Sequence, residues 1–494
     1  MSPAPLAGSL PSAGTLAVLV AAGLVLAGVL AVLMRRHTEA FPLLAILALP
    51  FRVPISADGR TVNLLVPLYV VVAAGTFAHL MPRLLAARDA GGATARGVRA
   101  ADVRGNPAVK WVGWALLASV ALYTLQISYS ADRAKAAENL LFFYVPFGLL
   151  FVLMREVRWT PQLIRRSVLV LVAVAVVLAG VGFVEYYRKS LFLNPKLVAA
   201  NQYDNYFRVN SVFFDPSIYG RFLMLVMLAV TTVVLWGTRR QVQIGAAVLA
   251  WLLAGLVTSF SQSSIAGLLL GLAVLAAYRW GARRTAIVTG LLVVLAAAVL
   301  LLAPKGWHLK GSSASSATQG RTSLIEGGLE LFEDRPLQGF GSGSFETEYK
   351  RHTSASQATT QNAVSASHTI PITIAAEQGL VGLAVYGALL VIAFLALFTG
   401  AGRSPPRIAI AACFAALVLH TWTYADFLED PFTWTLLAIG VALARAGGPL
   451  SAAGTGSTPA PGRGARTVPA SQAQDAGAAE QGPPAAVRGA QKQL

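Results

Sequence analysis

The chain alternates between long apolar runs and short polar connections, and the runs have the length of membrane spans. A bilayer core of about 30 Å needs roughly 20 apolar residues per helix. Stretches that meet or approach this are Leu16–Met34, Val62–Met81, Val109–Ile127, Leu140–Met154, Val168–Val184 and Ile218–Trp236. They continue at Val242–Phe260, Ile265–Tyr278, Ala286–Ala303, Ile370–Phe398, Ile408–Trp422 and Phe432–Ala444. A shorter run, Phe41–Ile55, is interrupted by Pro42, Pro50 and Pro54, and reads as a span or a re-entrant segment. The pattern predicts an all-α, polytopic integral membrane protein of about 12 or 13 helices, because lipid leaves no partner for an open sheet edge. Thirteen spans place the N-terminus outside, and twelve place it inside.

Charge placement sets the sidedness. Arg35/Arg36, the run Arg83 to Lys110, Arg155/Arg158/Arg165/Arg166, Arg239/Arg240, Arg279/Arg283/Arg284 and Arg403/Arg407 fall at every second connection. By the excess of cations on the cytoplasmic side, these are the inner connections. Trp159, Trp236 and Trp280 sit beside them as interfacial anchors. The outer connections are then Ser56–Thr61, Tyr129–Asn139, Tyr186–Ser217, Ser261–Ser264, Pro304–Thr369 and Tyr424–Pro431. Two of these are long and polar, as loops that bind or react tend to be.

Composition agrees. Hydrophobic residues make up 55% and charged residues 12% of the 494, with a mean hydropathy of +0.62, which argues against a water-soluble enzyme. The net charge of +17 collects in the inner connections, so it does not imply nucleic acid as a partner. The single cysteine, Cys413, lies in an apolar run and excludes a disulfide framework or a cysteine metal site. The N-terminus has no basic region ahead of its apolar stretch, so it reads as a first span rather than a cleaved leader. After Arg445 the chain turns to Gly, Pro, Ala, Ser and Gln, which predicts a disordered cytoplasmic tail. The expected divisions are 1–303 (membrane helices), 304–369 (an extracytoplasmic catalytic loop), 370–446 (membrane helices) and 447–494 (tail).

Candidate chemistry sits in the two long outer loops. In Pro304–Thr369, Gly311–Gly320 reads as a flexible lead-in. An amphipathic stretch carrying Arg321 follows, with a helix expected to start at Thr322 or Ser323 as cap. After Asp334-Arg-Pro336, the glycines Gly339, Gly341 and Gly343 either let the backbone approach an anion or form a tight packing turn. His352 is a weaker candidate, whereas His368 at the mouth of the next span is placed to act as a general base. His37, His79, His308 and His420 read as histidines satisfied by their surroundings. In the other loop, Asp215-Pro216-Ser217 is a helix entry, with Asp215 as cap. Arg208 and Arg221 stand beside or inside an apolar span, where arginine is costly unless it meets a cavity or partner. The acidic turn Asp426–Pro431 reads as a solvated cap in preference to a binder of sugar hydroxyls. No HxxxH or HExxH spacing occurs, so no metal site is expected.

These residues resemble the O-antigen ligase and polymerase superfamily of bacterial surface-glycan transferases, in four places over most of the membrane region. Arg208 through Asp215-Pro216-Ser217 resembles its arginine followed by a phenylalanine-(Asn/Asp)-Pro turn. Arg321 with Ile325 is similar to its arginine-x-x-x-aliphatic motif. Asp334-Arg-Pro-Leu-Gln-Gly-Phe-Gly-Ser-Gly-Ser-Phe345 resembles its Pro-Leu-x-Gly-x-Gly segment. His368-Thr369, nine residues and then Gly379-Leu-Val-Gly382 resembles the ligase signature, with Thr369 where Asn, Ser or Gln is usual. The resemblance implies a helical glycosyltransferase of the GT-C type, working without cofactor, metal or nucleotide sugar. It implies a polyprenyl-pyrophosphate-linked oligosaccharide donor and a saccharide, lipid-glycan or protein acceptor. The site would face outward from the cytoplasmic membrane. Arg321 would stabilise the leaving pyrophosphate and His368 would activate the acceptor hydroxyl. Where the family commonly has a Ser-Arg pair, this chain has Ser261-Gln262. A neutral amide donates hydrogen bonds but supplies no charge, which leaves that to Arg208 or Arg221. Ligase, polymerase and protein O-oligosaccharyltransferase share these features. A flippase for the same lipid, which would need charges deep within its spans, and a non-catalytic scaffold are the readings of another class.

Overall fold

The computed structural model describes residues 13–57, 60–89, 106–193, 207–302, 312–352, 367 and 369–446. The helices are α1 (Ala13–Arg36), α2 (Ala40–Ala48), α3 (Val66–Ala86), α4 (Pro107–Gln126), α5 (Arg133–Met154), α6 (Pro161–Arg188), α7 (Pro216–Trp236) and α8 (Arg239–Thr258). They continue with α9 (Gln262–Trp280), α10 (Ala282–Leu302), α11 (Ser312–Asp334), α12 (Phe345–His352), α13 (Ile370–Phe398), α14 (Pro405–Trp422) and α15 (Pro431–Ala446). Nine helices among the described residues, α3 to α9 with α13 and α14, are long and apolar enough to cross a bilayer, and α15 is a shorter apolar helix. α1 and α10 cover two more of the apolar runs. The architecture is therefore a polytopic membrane fold that is almost entirely helical.

A recurring local device starts the spans. Asn106-Pro107, Thr160-Pro161 and Asp215-Pro216 each place a capping oxygen before a proline in the first helical position. The cap accepts an otherwise unpaired N–H, and the proline loses nothing because its position needs no donor. α7 and α14 form the middle of the bundle and are mostly buried. α9 packs against both, with Gly267 and Gly271 set against Met224 and Leu228, the close approach that small residues permit between membrane helices. α10 by contrast presents Ile287, Leu291 and Val294 outward, as a lipid-facing helix would.

Three expectations need correction. The Phe41–Ile55 stretch does not span: α2 is only nine residues long, and Pro50 and Pro54 end helical geometry. The β-branched residues after it form a two-stranded antiparallel hairpin, Val53–Ala57 with Arg60–Leu64, pairing Ile55 with Val62. The helix carrying Arg321 begins at Ser312, so Thr322 and Ser323 are interior residues and not caps. The Ala- and Ser-rich lead-in holds no proline to stop it. α5 also begins at Arg133, before the apolar run, capped by Asp132 through the Lys135 N–H at 2.9 Å. The segment from 447 onward, expected to be a disordered tail, lies outside the described residues.

The arginine-rich connections gather at one end of the bundle. Arg35 donates to the Phe77 carbonyl (3.0 Å), Arg166 pairs with Glu39, and Arg445 reaches Glu156 (3.4 Å). Arg407 donates to the Gly400 and Thr399 carbonyls, both at 2.8 Å. Of the candidate functional residues, Arg208, Asp215, Arg221 and Gln262 belong to the opposite end.

Candidate active site

Arg208 sits in a segment without secondary structure of its own, anchored from two sides. From below, the carboxylate of Glu185, buried near the end of α6, accepts the backbone N–H groups of Phe192 (3.0 Å), Asn210 (3.2 Å) and Ser211 (2.7 Å). From the side, the Val209 N–H donates to the Thr258 carbonyl at the end of α8 (3.2 Å). Arg208 then lies against the turn between α8 and α9, where its Nε donates to the Ser259 carbonyl at 3.3 Å. A carboxylate out of water is costly unless its oxygens are hydrogen-bonded, and the three amides meet that need.

That same turn carries Gln262. Ser261 caps α9, accepting the Ser264 N–H at 3.3 Å, and Gln262 is the exposed first residue of the helix. Behind it lies a buried polar chain. His420 Nε2 meets Ser264 Oγ (3.0 Å) and Ser263 Oγ (3.3 Å), and its Nδ1 accepts from Arg221 Nε (3.2 Å). A guanidinium only donates, so Nδ1 must carry the lone pair and Nε2 the hydrogen. Arg221 spends its remaining donors on an ion pair with Asp430 and on the carbonyls of Asp426 (3.2 Å) and Ala425 (2.5 Å). Arg221 is wholly enclosed. It fastens the 424–430 turn to α7 instead of reaching outward to a lipid surface. Asp430 also accepts the Phe432 N–H (2.8 Å) at the start of α15. Asp215 caps α7 through the Ser217 (2.6 Å) and Ile218 (3.3 Å) N–H groups, as its Asp-Pro-Ser context suggests.

The glycine-rich run docks on a break in α13. Gly379 (φ 63°) interrupts that helix, and the freed backbone groups find partners in the run. The Leu380 N–H donates to the Pro336 carbonyl (2.7 Å), the Phe340 N–H to Ala376 (3.1 Å) and the Gly341 N–H to Glu377 (2.8 Å). A broken membrane helix is tolerated where neighbouring protein pairs its backbone in this way. Gly341 packs against Ser130 and Gly343 against Ala136, so the run is wedged between α13 and the start of α5 with the turn ahead of it. The carboxylate of Glu377 accepts the N–H groups of Gly343 (2.9 Å) and Phe345 (3.0 Å). These amides receive a carboxylate from the chain itself. The glycines thus serve the packing turn that was one of their two sequence readings.

His368 lies outside the described residues, as does the side chain of Arg321. Their surroundings are placed. Gly328 of α11 abuts Ile372 in the first turn of α13, so α11 packs against the start of α13. Ser367, next to His368, is buried and hydrogen-bonds Thr373 Oγ1 at 2.9 Å and the Thr369 carbonyl at 2.7 Å. His352 ties α12 to the end of α11, with Nε2 3.1 Å from Asp334 Oδ2 and Nδ1 2.9 Å from the Glu348 carbonyl.

The acidic turn adds ionisable groups to this end. Asp426 adopts a left-handed conformation (φ 65°) and lies within electrostatic reach of Arg52 and Arg221. Burial pushes its carboxyl above the usual range, against the pull of those two cations. Glu429 accepts from Asn139 Nδ2 at 3.0 Å, and burial beside Asp426 pushes it up to about 8. Among the described residues no group of three or more His, Cys, Asp or Glu side chains is placed to hold a metal ion.

Sequence reasoning named Arg208, Arg221, Asp215 and Gln262, and they share one end of the bundle. It assigned no role to Glu185, Glu377 or Arg52, and it read His420 as merely satisfied. An acid or arginine inside or beside an apolar run was the available signal. No curated protein matches the chain. Residues 246–387, from α8 through the first half of α13, match the family model described as O-antigen ligase.

Proposed function

We propose that the protein is a membrane glycosyltransferase of O-antigen ligase type, serving the biosynthesis of a surface polysaccharide such as that of lipopolysaccharide. It takes a glycan from a polyprenyl-pyrophosphate donor and passes it to an acceptor hydroxyl at the outer face of the cytoplasmic membrane. The observation that carries this reading is convergence. Arg208, Gln262, the Arg321-bearing helix and the entry to α13 belong to four separate segments. All stand at the end of the bundle opposite the arginine-rich connections, which is the outer end by the positive-inside rule. Buried ionisable groups support it too. Glu185, Arg221, Glu377 and His420 lie within about two helical turns of that same end, and among the described residues no ladder of charges crosses the spans as a flippase would need.

In this reading the acceptor oxygen attacks the anomeric carbon of the donor sugar, and the bond from that carbon to the pyrophosphate oxygen breaks. The growing negative charge on the lipid pyrophosphate is met by Arg321 and Arg208, with the Gln262 amide as a neutral donor beside them. Removing one such preorganised donor typically costs about 10²- to 10³-fold in rate. His368 takes the proton of the acceptor hydroxyl, a contribution of about 10²- to 10⁴-fold. Gly339, Gly341 and Gly343 act indirectly, by fixing the loop on α13, and Asp215 and Arg221 hold the helix entry and the 424–430 turn.

The test is transfer by the purified full-length chain from a polyprenyl-pyrophosphate oligosaccharide to three acceptors: a lipid-anchored saccharide, a growing polymer and a protein hydroxyl. Product on the lipid-anchored saccharide, lost in His368→Ala and Arg321→Ala, is expected. Product only on the polymer or the protein reassigns the acceptor, and wild-type rates in both variants remove these residues from the mechanism.

A further inference from the structure

Glu185 is not part of the reaction outlined above, yet its environment is built around its charge. It sits three residues before the end of a span, with no accessible surface, and three backbone N–H groups from two different segments converge on its two oxygens. Two of those amides, Asn210 and Ser211, follow Arg208 by two and three residues. Ser211 is held in a left-handed conformation (φ 52°), and its hydroxyl donates to the Leu178 carbonyl of α6 at 2.8 Å. A non-glycine residue in that region is strained and persists where its surroundings over-determine it. On the other side the Val209 N–H donates to the Thr258 carbonyl. Residues 209 to 211 are thus clamped between α6 and α8, and the clamp determines where Arg208 is presented beside Gln262.

We infer that Glu185 is a positioning residue: by clasping the Asn210 and Ser211 amides it holds Arg208 at the α8–α9 turn, where Arg208 receives the pyrophosphate of the lipid-linked donor. This rests on the reading of Arg208 given above. A carboxylate suits the role better than an amide side chain. It offers acceptor lone pairs on both oxygens, whereas glutamine would turn one of them into a donor facing a backbone N–H.

The experiment combines two measurements on the full-length chain in detergent: hydrogen exchange, and binding of inorganic pyrophosphate. Glu185→Gln is expected to speed exchange of the amides at 210 and 211 while the protection of α7 and α9 stays as in wild type. Arg208→Ala and Glu185→Gln are each expected to weaken pyrophosphate binding about tenfold, the scale of one charge-assisted contact, and the double variant no further than either alone. Glu185→Asp, which keeps the charge on a shorter arm, is expected to fall between and guards against loss of folding in Glu185→Gln. Wild-type exchange at 210 and 211 in Glu185→Gln would overturn the inference. So would additive losses in the double variant, or unchanged pyrophosphate binding in Arg208→Ala. The wider functional reading fails by a different result, the absence of glycan transfer by the wild-type chain.

Discussion

Gly339 and Gly379 stand face to face, each presenting its bare α-carbon to the other's strand of backbone. A side chain on Gly339 would run into the Glu377 carbonyl, and one on Gly379 into the carbonyl of Leu337. Both have positive φ, 65° and 63°. The break in α13 and the glycine run are therefore one object. The helix opens so that the loop can hydrogen-bond into it, and the loop is glycine-rich because backbone must touch backbone. Through this joint the 312–352 segment is fixed to the helix that begins beside His368.

Alanine at either glycine should accordingly be severe. The left-handed conformation costs about 1 to 2 kcal/mol for any other residue, and the collision with backbone adds about 1 to 3 kcal/mol. Gly339→Ala and Gly379→Ala should each lower the thermal midpoint in detergent and reduce glycan transfer. Gly387→Ala, on the same helix with open space around it, should leave both unchanged. Equal behaviour of all three variants would contradict the joint.

Arg221 and Asp430 form an ion pair that is closed off from solvent on both sides. Breaking such a pair from one side typically costs about 3 to 5 kcal/mol, because the abandoned charge stays buried. Arg221→Met should therefore be strongly destabilising, and Arg221→Met combined with Asp430→Leu should recover much of the loss. Thermal unfolding of the single and double variants reads this out. A double variant as unstable as the sum of its parts would mean that the pair does not act as a unit.

Glu429 sets a pH dependence. Its carboxyl is pushed up to about 8 by burial and by Asp426, so the folded chain holds that proton more tightly than the unfolded chain does. Stability from this group is present at pH values below the ordinary carboxylate range, and it declines as pH rises towards about 8. Asp426, raised for the same reason, acts in the same direction. Glu429→Gln should unfold at nearly the same temperature as wild type at pH 5 and at a higher temperature at pH 8.5. A wild-type midpoint that rises between those pH values would refute the assignment.

Much of the helical order was legible because lipid enforces it. A run of apolar residues near the bilayer thickness has few alternatives to a helix, and an Asp-Pro or Thr-Pro pair marks where it starts. The exceptions have local causes. Phe41–Ile55 carried enough apolar residues to suggest a crossing, but its prolines left α2 at nine residues and handed the rest to a hairpin. The start of α11 was misplaced because Ser and Thr cap helices only where something ends the helix before them, and nothing in the Ser312–Gln319 stretch does. At the site, Arg208 and Asp215 stood out as polar residues at a span entrance. Arg221 stood out as well, but its enclosure depends on Asp430 and His420, about 200 residues away in sequence, and no local pattern reports such a partner. The same holds for Glu185 and Glu377, whose function is visible only once the amides they hold are brought to them.

The central claim is that the segment between α10 and α13 works outside the cytoplasm. The most direct measurement places single cysteines by Lys350→Cys and by Arg240→Cys in a Cys413→Ala background and treats intact cells with a membrane-impermeant maleimide. Labelling of the position-350 variant alone, with the position-240 variant labelled only after permeabilisation, is the predicted result. The reverse pattern would put Arg208, Arg321 and His368 on the cytoplasmic side and contradict the account.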